Sequence, residues 1–364
     1  MDLNPNVSVI AKLPGDRRVW SIAVGRNGIF FSMSHSIFRC VDTQIEFLCG
    51  SGVAPVNGIA GYKDGRGADA RFNYPCSIAV CPDGVSLVVA DKNNHRIRTV
   101  SETGTVGTLA GNGPTSSYGR PELPTFHYPY DLIVRKDGTV FFCDTWSFKM
   151  ISTDGTVRTF LRFDDPHQYS GLASSVDGGF ISRQTVRDGN SCDYVHINNI
   201  DPSNISKLGL SVGRRMVMIA TDTANNILMR LNGISCLQRI NVLTKIVTVV
   251  MSPVADVMMA IDLCGNLVMV QPDSNRKCSL VRVGSTGLGP GYAAWDLPVW
   301  TPTKKCASQG FKWTRPAVLT ILLLALRATH GGGDGGWLRG VAVLPTSVWF
   351  NIIGMMPFHA IGRH

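Results

Sequence analysis

No CxxC pair occurs among the ten cysteines of this 364-residue chain. Cys76 and Cys81 lie five apart in one apolar run, and Cys143 and Cys264 sit beside strand-like ends. That pattern is no disulfide or zinc framework; it predicts small apolar thiols packed in a reduced, intracellular and cytoplasmic protein. Also missing are a Ser-His-Asp signature, a Gly-rich phosphate loop leading into a helix, and a paired-carboxylate motif, so no catalytic residue and no cofactor is assigned. The opening MDLNPNVSV lacks a basic and an apolar region, and a cleaved signal peptide is not expected. Charge is scarce at 17%, and its excess is uneven. Residues 1–303 carry 28 Lys/Arg against 25 Asp/Glu (+3), and residues 304–364 carry 7 against 1 (+6), which together make the formal +9. A basic balance confined to the tail is a weak nucleic-acid signal.

What is present is a repeat. Residues 75–113 read PCSIAVCPDGVSLVVADKNNHRIRTVSETGTVGTLAGNG, residues 129–160 read PYDLIVRKDGTVFFCDTWSFKMISTDGTVRTF, and residues 20–52 give the looser WSIAVGRNGIFFSMSHSIFRCVDTQIEFLCGSG. In each, an alternating apolar strand meets an Asp/Asn-Gly turn, followed by three further strands separated by polar turns. Such a unit, recurring at about 40–55 residues, predicts a β-propeller blade. One blade cannot bury its faces alone, so the repeat implies a ring. GLASSVDGGFISRQ (171–184), MVMIATDTANN (216–226) and DVMMAIDLCGN (256–266) mark three further units. The expected fold is therefore all-β: a six-bladed propeller of four-stranded antiparallel blades over 19–283, with an irregular tail at 284–364. Within the N-terminal segment 1–18, VSVIAKL (7–13) is expected to pair with the last blade, since an open ring would expose edge strands.

An aspartate recurs where the second strand is expected to end: Asp91, Asp144, Asp222 and Asp262. A short carboxylate there accepts backbone N–H groups, so these four are read as structural turn caps rather than metal ligands.

Three segments carry a resemblance. GYKDGRGADARFNYPCSIAVCPDG (61–84), VVADKNNHRIRTVSETGTVGTLAG (88–111) and FHYPYDLIVRKDGTVFFCDT (126–145) resemble NHL repeats: a Gly-rich loop, an apolar strand, a D-G turn, a YVAD-type strand, NHRIR and a final TLAG. The likeness covers about a third of the chain and implies a propeller that serves as a scaffold for protein or RNA partners. It implies no reaction.

Strand parity places the long connections 50–75 and 111–129 on one face with the turn at 91–95, and sites are built on such loops. That face is rich in aromatics, among them Tyr62, Tyr118, Tyr130 and Trp146. Arg39, Arg96 and Lys149 are read as equivalent positions in three successive blades. Stacking rings and cations in an arc suit a protein or peptide partner of acidic character; nucleic acid is disfavoured because Asp64, Asp69, Glu122 and Asp131 share the surface. An RNA-binding NHL propeller stays a further alternative. So does a metal-dependent propeller hydrolase or lyase, with His127, Asp131, His167 and His196 as the ligand types to consider, although no spacing among them repeats.

After Pro302 the pattern stops. KKCASQGFKWTRP (304–316) is basic, VLTILLLALRA (318–328) is too short to span, and VAVLPTSVWFNIIGMMPFHAI (341–361) has 21 residues without Asp, Glu, Lys or Arg. Its length suffices to cross a bilayer, and two prolines argue against it. A membrane anchor, an interfacial segment and a tail without structure of its own stay open.

Overall fold

A computed structural model describes residues 7–14, 18–51, 59–113, 126–163, 169–175, 179–185, 191–197, 205–208, 212–213, 216–221, 226–231, 237–241, 244, 246–251, 258–262, 265–272 and 277–284. All of these lie within one compact unit, Met1–Leu297. The candidate membrane segment 341–361 lies outside the described residues, and among those described no helix is long and apolar enough to cross a membrane.

The chain opens with β1 (Val7–Lys12) and then builds antiparallel sheets in sequence order. Blade 1 is β2 (Val19–Gly25), β3 (Gly28–Met33), β4 (Ser36–Val41) and β5 (Gln44–Gly50). Blade 2 has a short edge strand β6 (Gly65–Arg66) outside β7 (Pro75–Val80), β8 (Leu87–Asp91), β9 (Arg96–Val100) and β10 (Thr105–Ala110). Blade 3 is β11 (Tyr130–Val134), β12 (Val140–Asp144), β13 (Ser147–Ile151) and β14 (Val157–Arg162). Blade 4 holds β15 (Tyr169–Ser174), β16 (Phe180–Thr185), β17 (Ser191–Ile197), β18 (Ile205–Lys207) and the short β19 (Val212–Gly213). Blade 5 is β20 (Met216–Thr221), β21 (Asn226–Leu231), β22 (Leu237–Asn241) and β23 (Val247–Met251). Blade 6 is β24 (Met259–Ile261), β25 (Leu267–Pro272), β26 (Cys278–Val283) and, as its outermost strand, β1.

The first strands of successive blades, β2, β7, β11, β15, β20 and β24, touch in order, and β24 returns to β2. That closed cycle makes the chain a six-bladed propeller with those strands innermost. The core sits between blades. One cluster joins Ile37, Cys49 and Phe30 of blade 1 to Ile78 and Val89 of blade 2. Others join blades 2 and 3, 3 and 4, 5 and 6, and 6 and 1. Strands buried on both faces need no polar alternation, which is why LVVAD of β8 and VFFCD of β12 are buried at every position. The outer β14, by contrast, keeps most of its side chains at least partly in solvent.

Two expectations about blades 5 and 6 are corrected. β20 and β24 are first strands, not second strands. Asp262 therefore does not match Asp91: it follows β24, and its Oδ1 accepts the Asn266 amide at 2.8 Å, closing the turn into β25. Asp222 lies outside the described residues, directly after the first strand of its blade. Turns after first and second strands favour the same short carboxylate, so an aspartate alone does not tell one strand from the next.

Candidate binding face

The upper end of each blade holds the entry into its first strand and the turn between its second and third. In blade 2 both are tied to one buried aspartate. Asp91 Oδ1 accepts the Asn73 amide at 2.7 Å, and its Oδ2 accepts Asn94 Nδ2 at 2.7 Å and Arg98 Nη1 at 2.8 Å. Arg98 is wholly buried and also reaches Asp64 at 2.6 Å and the carbonyls of Lys63 and Arg71 at 3.0 and 3.1 Å. The Gly-rich loop, the VVAD strand and the NHRIR strand are thus one polar network, closed around a guanidinium. Asp144 does less: it accepts the His127 amide at 3.2 Å. Burial raises the pKa of both carboxyls, that of Asp91 to about 6 against the pull of its donors.

Neighbouring blades are latched by repeated hydrogen bonds. Tyr74 N–H donates to His35 Nδ1 at 3.2 Å, and Tyr128 N–H to His95 Nδ1 at 3.3 Å. Both tyrosines precede a proline and hold a left-handed backbone, with φ 63° and 54°, a conformation rare outside glycine and Asn/Asp. Closer to the axis, the Ile78 amide donates to Ser21 Oγ and the Leu132 amide to Ser77 Oγ, each at 3.1 Å. Asp131 extends that row by accepting the Gly171 amide at 2.9 Å.

The first strand of blades 1 to 5 carries a bulge of one extra residue. The extra residues are Trp20, Cys76, Asp131, Gly171 and Ile219. At Trp20 lies a cavity of about 290 Å³ lined by Arg18, Trp20, Ser34, His35 and Tyr74. The Trp20 and Tyr74 ring centroids are 4.2 Å apart at 45°, and the Arg18 guanidinium lies 4.9 Å over the indole. Lys92 flanks the other side of Tyr74, 5.8 Å from its ring and 5.8 Å from that of Tyr130.

Further out, Tyr62 stands 45% exposed with Arg96 stacked 3.6 Å above its ring. Tyr128 and Trp146 are each 42% exposed. The rings of Tyr128, His95 and His127 lie within 4.6–5.8 Å of one another, and the backbone carbonyl of His127 accepts the Thr145 amide beside Trp146. Tyr128, His95 and His127 thus make one ring cluster, with Tyr62 exposed on the loop before blade 2 and Trp146 exposed in the turn between β12 and β13. Tyr130 is partly buried, which raises the pKa of its phenol, and Tyr118 lies outside the described residues.

Strand register separates the three cations read as equivalent. Arg96 pairs with Asp91 at the upper end of β9, Lys149 pairs with Phe142 two residues further down its strand, and Arg39 pairs with Phe30 three residues down. The residue in register with Lys149 is the buried Arg98, and Ser36 and Ser147 match Arg96. Arg39 is held by Glu46 at 2.7 Å, and Lys149 lies 3.8 Å from Asp144. No arc of three cations forms, because Arg96, Lys149 and Arg39 are the first, third and fourth residues of their strands. Arg18, Trp20, His35 and His95 were not among the expected site residues, although His35 and His95 each stand one residue before a third strand.

Among the described residues no three His, Cys, Asp or Glu side chains converge to hold a metal ion. His127 Nδ1 faces Thr145 Oγ1 at 3.3 Å, Asp131 is spent on Gly171, and His167 lies outside the described residues. Burial pushes the Cys49, Cys76 and Cys81 thiols up to about 12, far from nucleophilic thiolate character.

Solved structures share this fold at low identity. A gluconolactonase from Xanthomonas campestris is 13% identical with a TM-score of 0.53, over 76% of this chain and 89% of that one. A virginiamycin B lyase from Staphylococcus aureus is 12% identical with a TM-score of 0.49, over 76% and 87%. No protein-family model and no curated protein matches the chain. At such identity the likeness to the gluconolactonase speaks for the propeller architecture alone.

Proposed function

We propose that the chain is a non-enzymatic, NHL-like interaction scaffold whose upper face, across blades 1 to 3, binds an extended peptide of acidic character. The observation that carries this reading is a set of three exposed aromatic rings. Tyr62, Tyr128 and Trp146 each keep more than two-fifths of their surface in water on a rigid frame, with Arg96 laid over Tyr62. Rigid aromatic rings beside a guanidinium are the residue types that dominate binding hot spots. The intracellular setting expected from the unpaired thiols suits such a role.

The test is direct binding to fluorescein-labelled hexapeptide pools. Tyr62→Ala/Trp146→Ala should weaken the tightest pools at least about tenfold, since each hot-spot truncation costs about 1–2 kcal/mol or more, while the melting temperature stays unchanged. Stoichiometric metal in the purified protein, together with metal-dependent hydrolysis of a lactone, would replace this reading with the enzymatic one.

A further inference from the structure

The cavity at the seam of blades 1 and 2 has a composition that the outer rings lack. Its floor is the Trp20–Tyr74 pair, with Trp20 at the β2 bulge. Its rim carries Arg18, an exposed residue whose one described contact is the face of Trp20. Among the described residues no carboxylate lies within ion-pair distance of Arg18, in contrast to Arg39, Arg98, Lys149 and Arg282. His35 adds polarity to the wall. Its Nδ1 accepts the Tyr74 amide. Ser34 lines the same wall from a backbone held at φ 55°.

An indole and a phenol ring beside a guanidinium fork recognise a carboxylate on a short apolar stem. The fork takes a carboxylate bidentately, and the rings cover the methylenes. At about 290 Å³ the cavity is at the lower end of the size that encloses a drug-like ligand, and it suits one anchoring side chain better. We infer that this cavity is the anchor site for a single Asp or Glu side chain of the bound peptide, with Arg18 as its ion-pair partner. The inference rests on the reading of the upper face as a peptide site and names the residue class that site selects.

The experiment uses the full chain and a positional-scanning library of N-acetylated, C-amidated, fluorescein-labelled hexapeptides, read by fluorescence anisotropy. Pools fixed as Glu or Asp at one position should bind wild type several-fold tighter than the matching Gln or Asn pools. Arg18→Glu should weaken the acidic pools by about tenfold or more, because attraction becomes repulsion at a rim pair, and leave the amide pools unchanged. Arg18→Lys should keep part of the preference, and the preference should shrink as salt is raised. A melting curve matching wild type shows that Arg18→Glu folds. If peptide pools bind with equal affinity for acid and amide, or if Arg18→Glu leaves the preference intact, the anchor assignment falls and the peptide-binding reading stands. If no pool binds, both fall. If twenty-nucleotide oligouridylate binds instead and is lost in Arg18→Glu, the cavity belongs to a phosphate backbone and the carboxylate assignment is wrong.

Discussion

Arg98 and Asp91 form an ion pair of 2.8 Å in which neither side chain is exposed to solvent. The pair joins the third strand of blade 2 to its second, and through Asp64 and the Asn73 amide it also holds the loop arriving from blade 1. A buried charge of this kind is costly to strand. Arg98→Met should therefore destabilise the propeller by about 3–5 kcal/mol in urea unfolding, since Asp91 keeps its place without its cation. Arg98→Met/Asp91→Leu should recover a large part of that loss, because no buried unpaired charge is left: Asp64, the other partner of Arg98, is 45% exposed and stays hydrated. A double variant as unstable as the sum of its single changes would show that the network acts through its shape rather than its charges.

The titrating groups pull stability in opposite directions. Asp91 is raised by burial to about 6 in the folded chain, so between about pH 4 and pH 6 the native state holds more protons than the unfolded one. Its contribution to stability grows as pH falls through that window. His95 is lowered, chiefly by burial; protonation of the unfolded state below about pH 6.5 therefore erodes stability as the medium becomes acid. Asp83 and Asp137 are lowered by the turn amides that overcome their partial burial, and their contribution is lost only below the ordinary carboxylate range. Subtracting the pH–stability curve of Asp91→Asn from that of wild type isolates the first term. The difference should move toward wild type by on the order of 1–3 kcal/mol from pH 7 to pH 4.5. A difference that stays flat across that range would place the carboxyl of Asp91 in the ordinary range in the fold.

The radial architecture was legible because the runs that become second strands, LVVAD and VFFCD, are apolar up to a closing aspartate and begin two or three residues after an Asp-Gly turn. Strand frames in blades 5 and 6 were not legible. MVMIAT and MAI are apolar like second strands, and nothing local marks that Asp262 belongs to a first-strand turn. The seam of Arg18, Trp20 and Tyr74 was hidden for a different reason. Its two rings are 54 residues apart in the chain and meet only through the stacking of blades, which periodicity does not encode. Arg96 and Arg98 show the limit most clearly: both belong to the same NHRIR run, yet one is stacked on Tyr62 at the surface and the other is sealed in the core.

Gly104 and Gly155 close the same turn in successive blades, with φ of 78° and 81° and matching hydrogen bonds to Ser101 and Ser152. A Cβ on Gly104 would lie 2.3 Å from the Leu48 carbonyl oxygen of blade 1, and one on Gly155 would meet nothing within 4 Å. Gly155→Ala should cost about 1–2 kcal/mol, the penalty for a left-handed backbone. Gly104→Ala should cost that and a further 1–3 kcal/mol or so for overpacking against backbone. The gap between the two, read by urea unfolding, measures how tightly blade 2 is pressed on blade 1. Equal losses would mean that the blades part easily at this seam.

Ring closure depends on β1. It pairs with β26 from Val7↔Val283 to Lys12↔Ser279, and the Leu13 amide adds a bond to the Cys278 carbonyl at 2.9 Å. Its inward side chains are not passengers: Ala11 and Leu13 are buried in the cluster that joins Val268, Val270 and Leu280 of blade 6 to Val19 and Ile22 of blade 1. Removing residues 1–13 therefore strips one strand from blade 6, opens the seam to blade 1 and leaves β26 as a bare edge of the kind that pairs with other molecules. The loss of several buried apolar groups and a strand ladder should lower the melting temperature by about 10 °C or more and promote aggregation. A synthetic peptide of residues 6–14 should reverse part of both effects in proportion to its concentration, because it binds the native edge and not the unfolded chain. A truncated chain that melts with wild type, or a peptide that restores nothing, would show that blade 6 closes the ring without its outer strand.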